Sequence, residues 1–121
     1  MAIEAEKIVG AFCKACARKN IDEIMGFFTE DAVYHNMPME PSKGKPAIKE
    51  TINSFLPGWI EFKILHTASN GNIVFNERID TIEMGDKRVE LPVAGMFELR
   101  GGRITLWRDY FDLQSLTRRA A

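Results

Sequence analysis

Arg78 and Asp80 stand two positions apart in a run of branched apolar residues, and Asp109 lies between Trp107 and Phe111 in another. If both runs are strands, residues two apart point to the same face. Val74, Asn76, Arg78, Asp80 and Ile82 then share one face, and Thr105, Trp107, Asp109, Phe111 and Leu113 share another. Tyr34 and Asn36 offer a hydroxyl and an amide from a third, shorter strand in the same way. Carboxylates among bulky apolar side chains are costly to bury unless they are paired or put to use. An arginine between two aspartates meets that requirement, and the chemistry open to such a set is proton transfer. Spacing alone also allows a structural ion-pair network on an exposed sheet face, with Tyr34 and Asn36 as strand-end hydrogen-bonding residues. His35 faces away from Tyr34 and Asn36 by alternation, and His66 has no evident partner.

The elements that must position these residues follow from periodicity. Ile3, Ile8, Val9, Phe12, Cys13 and Cys16 fall at helical spacing over residues 3 to 18. Asn20-Ile21-Asp22-Glu23 has the form of a capping box opening a second helix, which ends near Phe28. Residues 31 to 37 read as a short strand closed by Pro38 and Pro41, with a loop beyond. Pro46 suits the first turn of a third helix carrying Ile48, Ile52, Phe55 and Leu56 and stopping at Pro57-Gly58. From Trp59 onward the turn signals Asn70-Gly71, Met84-Gly85-Asp86-Lys87 and Arg100-Gly101-Gly102-Arg103 separate four strands, near 59 to 69, 72 to 84, 87 to 99 and 103 to 113. Helices first and an antiparallel meander afterwards predict an α+β domain, a curved, mostly antiparallel sheet wrapped around N-terminal helices and enclosing a deep apolar pocket.

A length of 121 residues leaves room for one domain, 1–121, to hold everything. A net charge of −1 without a basic stripe argues against a nucleic-acid partner, and Arg118 and Arg119 read as a solvated terminus. The N-terminus carries acids where a secretory signal would need a basic region, and no apolar run reaches membrane-spanning length, so the expected location is the cytoplasm. Cys13 and Cys16 form a Cys-x-x-Cys, but neither histidine has ligand spacing, so the thiols are read as packing and no metal site is expected.

Val33-Tyr34-His35-Asn36-Met37-Pro38, Glu77-Arg78-Ile79-Asp80 and Ile104 to Asp112, with Trp107-Arg108-Asp109 at its centre, resemble the three active-site segments of the limonene-1,2-epoxide hydrolase family. That family sits within the SnoaL-like and nuclear-transport-factor-like (NTF2-like) superfamily of cone-shaped α+β domains. The resemblance implies a cofactor-independent hydrolase adding water to an apolar epoxide, cyclic, terpenoid or aliphatic, to give a vicinal diol. Asp80 would be the general acid, Asp109 the general base and Arg78 the bridge between them, with Tyr34 and Asn36 helping to hold the water. Met37, Val74, Ile82, Leu91, Val93, Trp107 and Phe111 would supply an apolar, substrate-binding wall. Ile73, Phe75, Ile79, Leu106 and Tyr110 lie on the opposite face, and a homodimer packed through it is expected, with cover by the chain's own tail as the alternative. A cyclase or isomerase of the same fold, and a non-catalytic small-molecule-binding module, remain as alternatives.

Overall fold

The computed structural model describes residues 2–120, with the side chains of residues 4–117. The expectations for Ile3, Arg118 and Arg119 concern side chains outside that range. Helix α1 spans Ala2–Arg18 and buries Ala5, Val9, Phe12, Cys13 and Cys16 along one stripe. Lys19 stops it in the left-handed region at φ 61°. Asn20 then caps α2, Ile21–Met25, its side-chain oxygen accepting from the Glu23 N–H at 3.1 Å.

Helix α2 is shorter than its sequence pattern implied, and strand β1, Phe28–Asn36, begins earlier than residue 31. Burial decides this: Phe28 pairs with Ile104 in the sheet and meets Phe12 edge-on, with no exposure. The expected proline loop contains a two-residue strand β2, Ser42–Lys43, antiparallel to β1. Helix α3, Lys45–Phe55, carries Pro46 in its first turn and buries Ile48 and Ile52, and the turn Leu56–Gly58 leads into the sheet.

Strands β3 (Trp59–Asn70), β4 (Ile73–Met84), β5 (Lys87–Arg100) and β6 (Arg103–Tyr110) form the expected meander. The six strands are ordered β2-β1-β6-β5-β4-β3, antiparallel except where β1 runs parallel beside β6. That one pairing brings the first part of the chain next to its last strand. The side chains of α1 and α3 pack on one face of this sheet, where Phe12, Ile48, Ile52, Val74, Phe97, Ile104 and Trp107 form a common core.

Two expectations for the last strand are corrected. A bulge at Thr105, where Leu106 and Ile104 of β6 face the consecutive Glu98 and Leu99 of β5, puts Ile104 rather than Thr105 on the buried face, so simple alternation from Thr105 fails there. The strand also stops at Tyr110, so Leu113 is not part of it. The Asp112 side chain accepts from the Gln114 N–H at 3.0 Å and opens an unforeseen helix α4, Leu113–Ala120. Leu116 of that helix packs with Phe111 against Val89, Leu91 and Val93.

Candidate active site

Register explains how the polar residues meet. Asn76 of β4 lies opposite Gly95 of β5, Gly95 opposite Asp109 of β6, and Asp109 beside Asn36 of β1. These residues form one row across four strands. The row behind it runs Val74, Phe97, Trp107, Tyr34 and is apolar apart from the tyrosine hydroxyl and the indole N–H. Arg78 stands one pleat along β4 from Asn76, so its side chain crosses β5 diagonally at Gly95 to reach Asp109.

Arg78 is wholly buried, and Asp80 and Asp109 are nearly so. Its guanidinium donates from Nε to Asp80 Oδ1 and from Nη2 to Asp80 Oδ2, both at 2.9 Å, a two-pronged grip. Nη2 also donates to Asp109 Oδ2 at 2.8 Å, so one nitrogen holds an oxygen of each aspartate less than two hydrogen-bond lengths apart. Phe62 of β3 lies over the guanidinium, its ring centroid 5.1 Å from the central carbon. Burial pulls the Arg78 value down, but Asp109 and Asp80 together raise it well above that of a free arginine, so it stays charged.

Burial also pushes the Asp80 carboxyl above the ordinary range; Arg78 opposes the shift and the Asp109 charge adds to it. Asp109 accepts from Trp107 Nε1 at 2.7 Å through Oδ1 and from Arg78 through Oδ2, which occupies about two of the roughly four acceptor directions of a carboxylate. Tyr34 stacks on Trp107, with centroids 4.0 Å apart and planes 10° apart, and its hydroxyl is 3.1 Å from Asn36 Nδ2, which donates to it. Burial first, and then Asp109, hold the Tyr34 hydroxyl well above its usual value, so it remains a neutral donor and acceptor.

Tyr34, Asn36, Asp80 and Asp109 line one part of a cavity of about 710 Å3. Ile82, Leu91, Val93 and Phe111 line it as expected, and Met39, Phe55, Trp59, Phe62, Met84 and Leu116 complete most of its apolar wall. Three expected wall residues are not among the lining. Val74 and Trp107 are in the core beneath Tyr34, and the chain turns after Asn36 so that Met39, not Met37, reaches the cavity. Arg78 lies behind the two aspartates rather than on the wall.

The histidines stand apart. His35 is within 2.8 Å of the Met39 carbonyl oxygen, and His66, which had no evident partner in the sequence, pairs with Glu77 at 2.9 Å on an exposed surface. Cys13 and Cys16 are free and buried, and burial pushes the Cys13 thiol up to about 12. Among the described residues no group of three or more His, Cys, Asp or Glu is placed to hold a metal ion, and no helix is long and apolar enough to cross a membrane.

Sequence reasoning gave Asn76 a face but no role, and it read Trp107 as wall rather than as a donor to Asp109. Asn76 was recoverable from its parity with Arg78. Gly95 was not, because its significance depends on which strands lie to either side.

A buried Asp-Arg-Asp set beside a tyrosine and an amide, at the polar end of an apolar cavity, can be compared with known enzymes. Residues 3–121 match the limonene-1,2-epoxide hydrolase catalytic domain family. The chain belongs to the limonene-1,2-epoxide hydrolase family. Membership places it among the epoxide hydrolases. Within this group it is 35% identical over 110 residues to epoxide hydrolase EphG of Mycobacterium tuberculosis, covering 89% of this chain and 73% of that protein. The solved structure of an LEH-like epoxide hydrolase from M. tuberculosis superposes with a TM-score of 0.85 at 32% identity, over 98% of this chain and 92% of that one. A polyketide-cyclase-like structure from Xanthomonas campestris pv. campestris gives a TM-score of 0.89 at 20% identity, over 99% and 98% of the two chains, and shows the shared fold alone. That fold is the SnoaL-like and nuclear-transport-factor-like one that the sequence motifs implied.

Proposed function

We propose that the enzyme hydrolyses an apolar epoxide to a vicinal diol in one step, with Asp109 as general base and Asp80 as general acid. The observation that carries this reading is the single Nη2 of Arg78 bonded to both carboxyl groups at the end of an apolar cavity. Two carboxylates so close, with one guanidinium between them, favour a state holding a single negative charge. Asp80, pushed upward by burial, keeps the proton and delivers it to the epoxide oxygen. Ionised Asp109 removes a proton from water held with Tyr34 and Asn36, whose polar atoms share the cavity with it.

Water attacks the ring carbon as the C–O bond breaks and the ring oxygen takes the Asp80 proton. After the step Asp109 is protonated and Asp80 ionised, and a proton transfer between them restores the starting state. No covalent intermediate forms, and the attacked carbon inverts. The apolar wall suits a mainly hydrocarbon epoxide, cyclic, terpenoid or aliphatic, larger than the reacting ring.

The back of the sheet supports a second part of the proposal, a homodimer. Phe75 and Tyr110 are large side chains exposed at 52% and 45%, and Ile73, Ile79, Met96 and Leu106 lie partly covered on the same face. An exposed apolar set of this kind supports packing against a second copy.

The test of the chemistry is turnover of limonene-1,2-epoxide, cyclohexene oxide and 1,2-epoxyoctane in oxygen-18 water by the wild type and Asp109→Asn. We expect one labelled oxygen in the diol and a loss of about 100-fold or more in kcat for the variant. A product of unchanged mass would point to isomerisation or cyclisation, and full turnover by Asp109→Asn would remove it from the base role.

A further inference from the structure

We propose that Asn76, seated in the space left by Gly95, is the positioning residue that orients the Arg78 guanidinium and so governs how Asp80 and Asp109 share its charge. The inference rests on the acid–base reading of that pair.

Asn76 is a buried amide that does not line the cavity, so contact with substrate does not explain it. The donors of Arg78 show what it does. Nε and Nη2 are engaged by the aspartates, and Nη1 donates to Asn76 Oδ1 at 3.0 Å. The Asp80 grip is at one edge of the guanidinium plane, about which the group can tilt; a third acceptor at Nη1 removes that freedom. The identity of the amide atoms is settled by chemistry. A guanidinium only donates, so the carbonyl oxygen must face it, and Nδ2 is left to Cys13 Sγ at 3.9 Å.

An amide is also the right charge. An aspartate at position 76 would place a third carboxylate on one guanidinium and draw its stabilisation away from the reacting pair. Gly95 makes the arrangement possible, since a Cβ there would run into Arg78 Nη1 and stand 2.7 Å from Asn76 Oδ1. The titratable and charged groups around the set are Arg78 and Asp80 on β4, Asp109 on β6, Tyr34 on β1, and Cys13 and Cys16 on α1. Strands β5 and β3 contribute the uncharged Gly95, Val93, Ile64 and Phe62 beside Arg78. Burial holds the tyrosine and both thiols neutral over the working range, and it pushes the Asp80 carboxyl upward.

The experiment compares Asn76→Leu, which keeps volume without the acceptor, with Asn76→Asp, which keeps the acceptor and adds charge, and with Gly95→Ala. Kinetics on limonene-1,2-epoxide are followed from pH 5 to 9, alongside carbon-13 carboxyl NMR titration of aspartate-labelled protein, which needs no turnover. We expect Asn76→Leu and Gly95→Ala to lose about 10- to 100-fold in kcat with KM within about twofold, the loss of one hydrogen bond to a charged group. Asn76→Asp should retain most of the wild-type kcat at a pH optimum about one unit higher, and its Asp80–Asp109 titration should move upward likewise. Wild-type kcat and pH profile in Asn76→Leu would overturn the proposal, whatever the change in melting temperature. If that variant does not fold, an unmoved titration and pH optimum in Asn76→Asp would overturn it. Asp109→Asn serves as control: turnover retained there would count against the acid–base reading, whereas inactive Asp109→Asn with wild-type-like Asn76 variants would count against this inference alone.

Discussion

At the scale of single residues, the cost of burying Asp80 has a measurable consequence. The folded chain binds the Asp80 proton more tightly than the unfolded chain does. Its contribution to stability is therefore complete below the ordinary carboxylate range and is lost as pH rises through the raised value. Asp80→Asn removes that titration, so the stability of the variant relative to wild type should grow with pH while turnover is lost. Urea unfolding at pH 4 and pH 8 checks this, and a pH-independent gap would contradict the elevated value. Trp107→Phe keeps the stack with Tyr34 but removes the N–H on Asp109, a bond worth about 1.5–3 kcal/mol. We expect kcat to fall about 10- to 100-fold with KM nearly unchanged in steady-state kinetics; a KM effect alone would return Trp107 to the wall. Parity made Arg78, Asp80 and Asp109 legible in the sequence. The Trp107 donor was not, because the direction of an indole N–H depends on the rotamer that packing selects.

At the scale of elements, α1, α3 and the four-strand meander were readable because their apolar spacing and turn residues agree. Helix α4 was hidden because Phe111 and Leu113 continue the alternation of β6, whereas the Asp112 cap that ends it is a single residue. The consequence is functional, since Leu116 lines the cavity opposite residues of β5. Leu116→Ala should raise KM about fivefold, as expected for about 1 kcal/mol of lost apolar contact, and leave kcat unchanged. Steady-state kinetics with a bulky and a small epoxide would show the larger penalty for the bulky one. An equal loss of kcat would mean that α4 acts on the chemistry instead. Wall and polar end overlap on β4, which carries Ile82 and Asp80 alike, whereas α4, the end of α3 and the β4–β5 turn contribute to the wall alone.

At the scale of the whole molecule, the exposed apolar back of the sheet makes a prediction about assembly. Phe75→Lys combined with Tyr110→Lys should convert a dimer to a monomer in sedimentation equilibrium, with the fold retained. A monomeric wild type at micromolar concentration would show that the patch has another use. The parallel pairing of β1 with β6 bears on how the enzyme comes into being. Asn36 and Asp109 are neighbours in space but belong to opposite ends of the chain, and every strand of the meander must be laid down before they meet. Pairings over such long sequence separations are slow to form. On the proposed acid–base reading, a product cut short before residue 109 would hold Arg78 and Asp80 without Asp109 and should show no epoxide turnover.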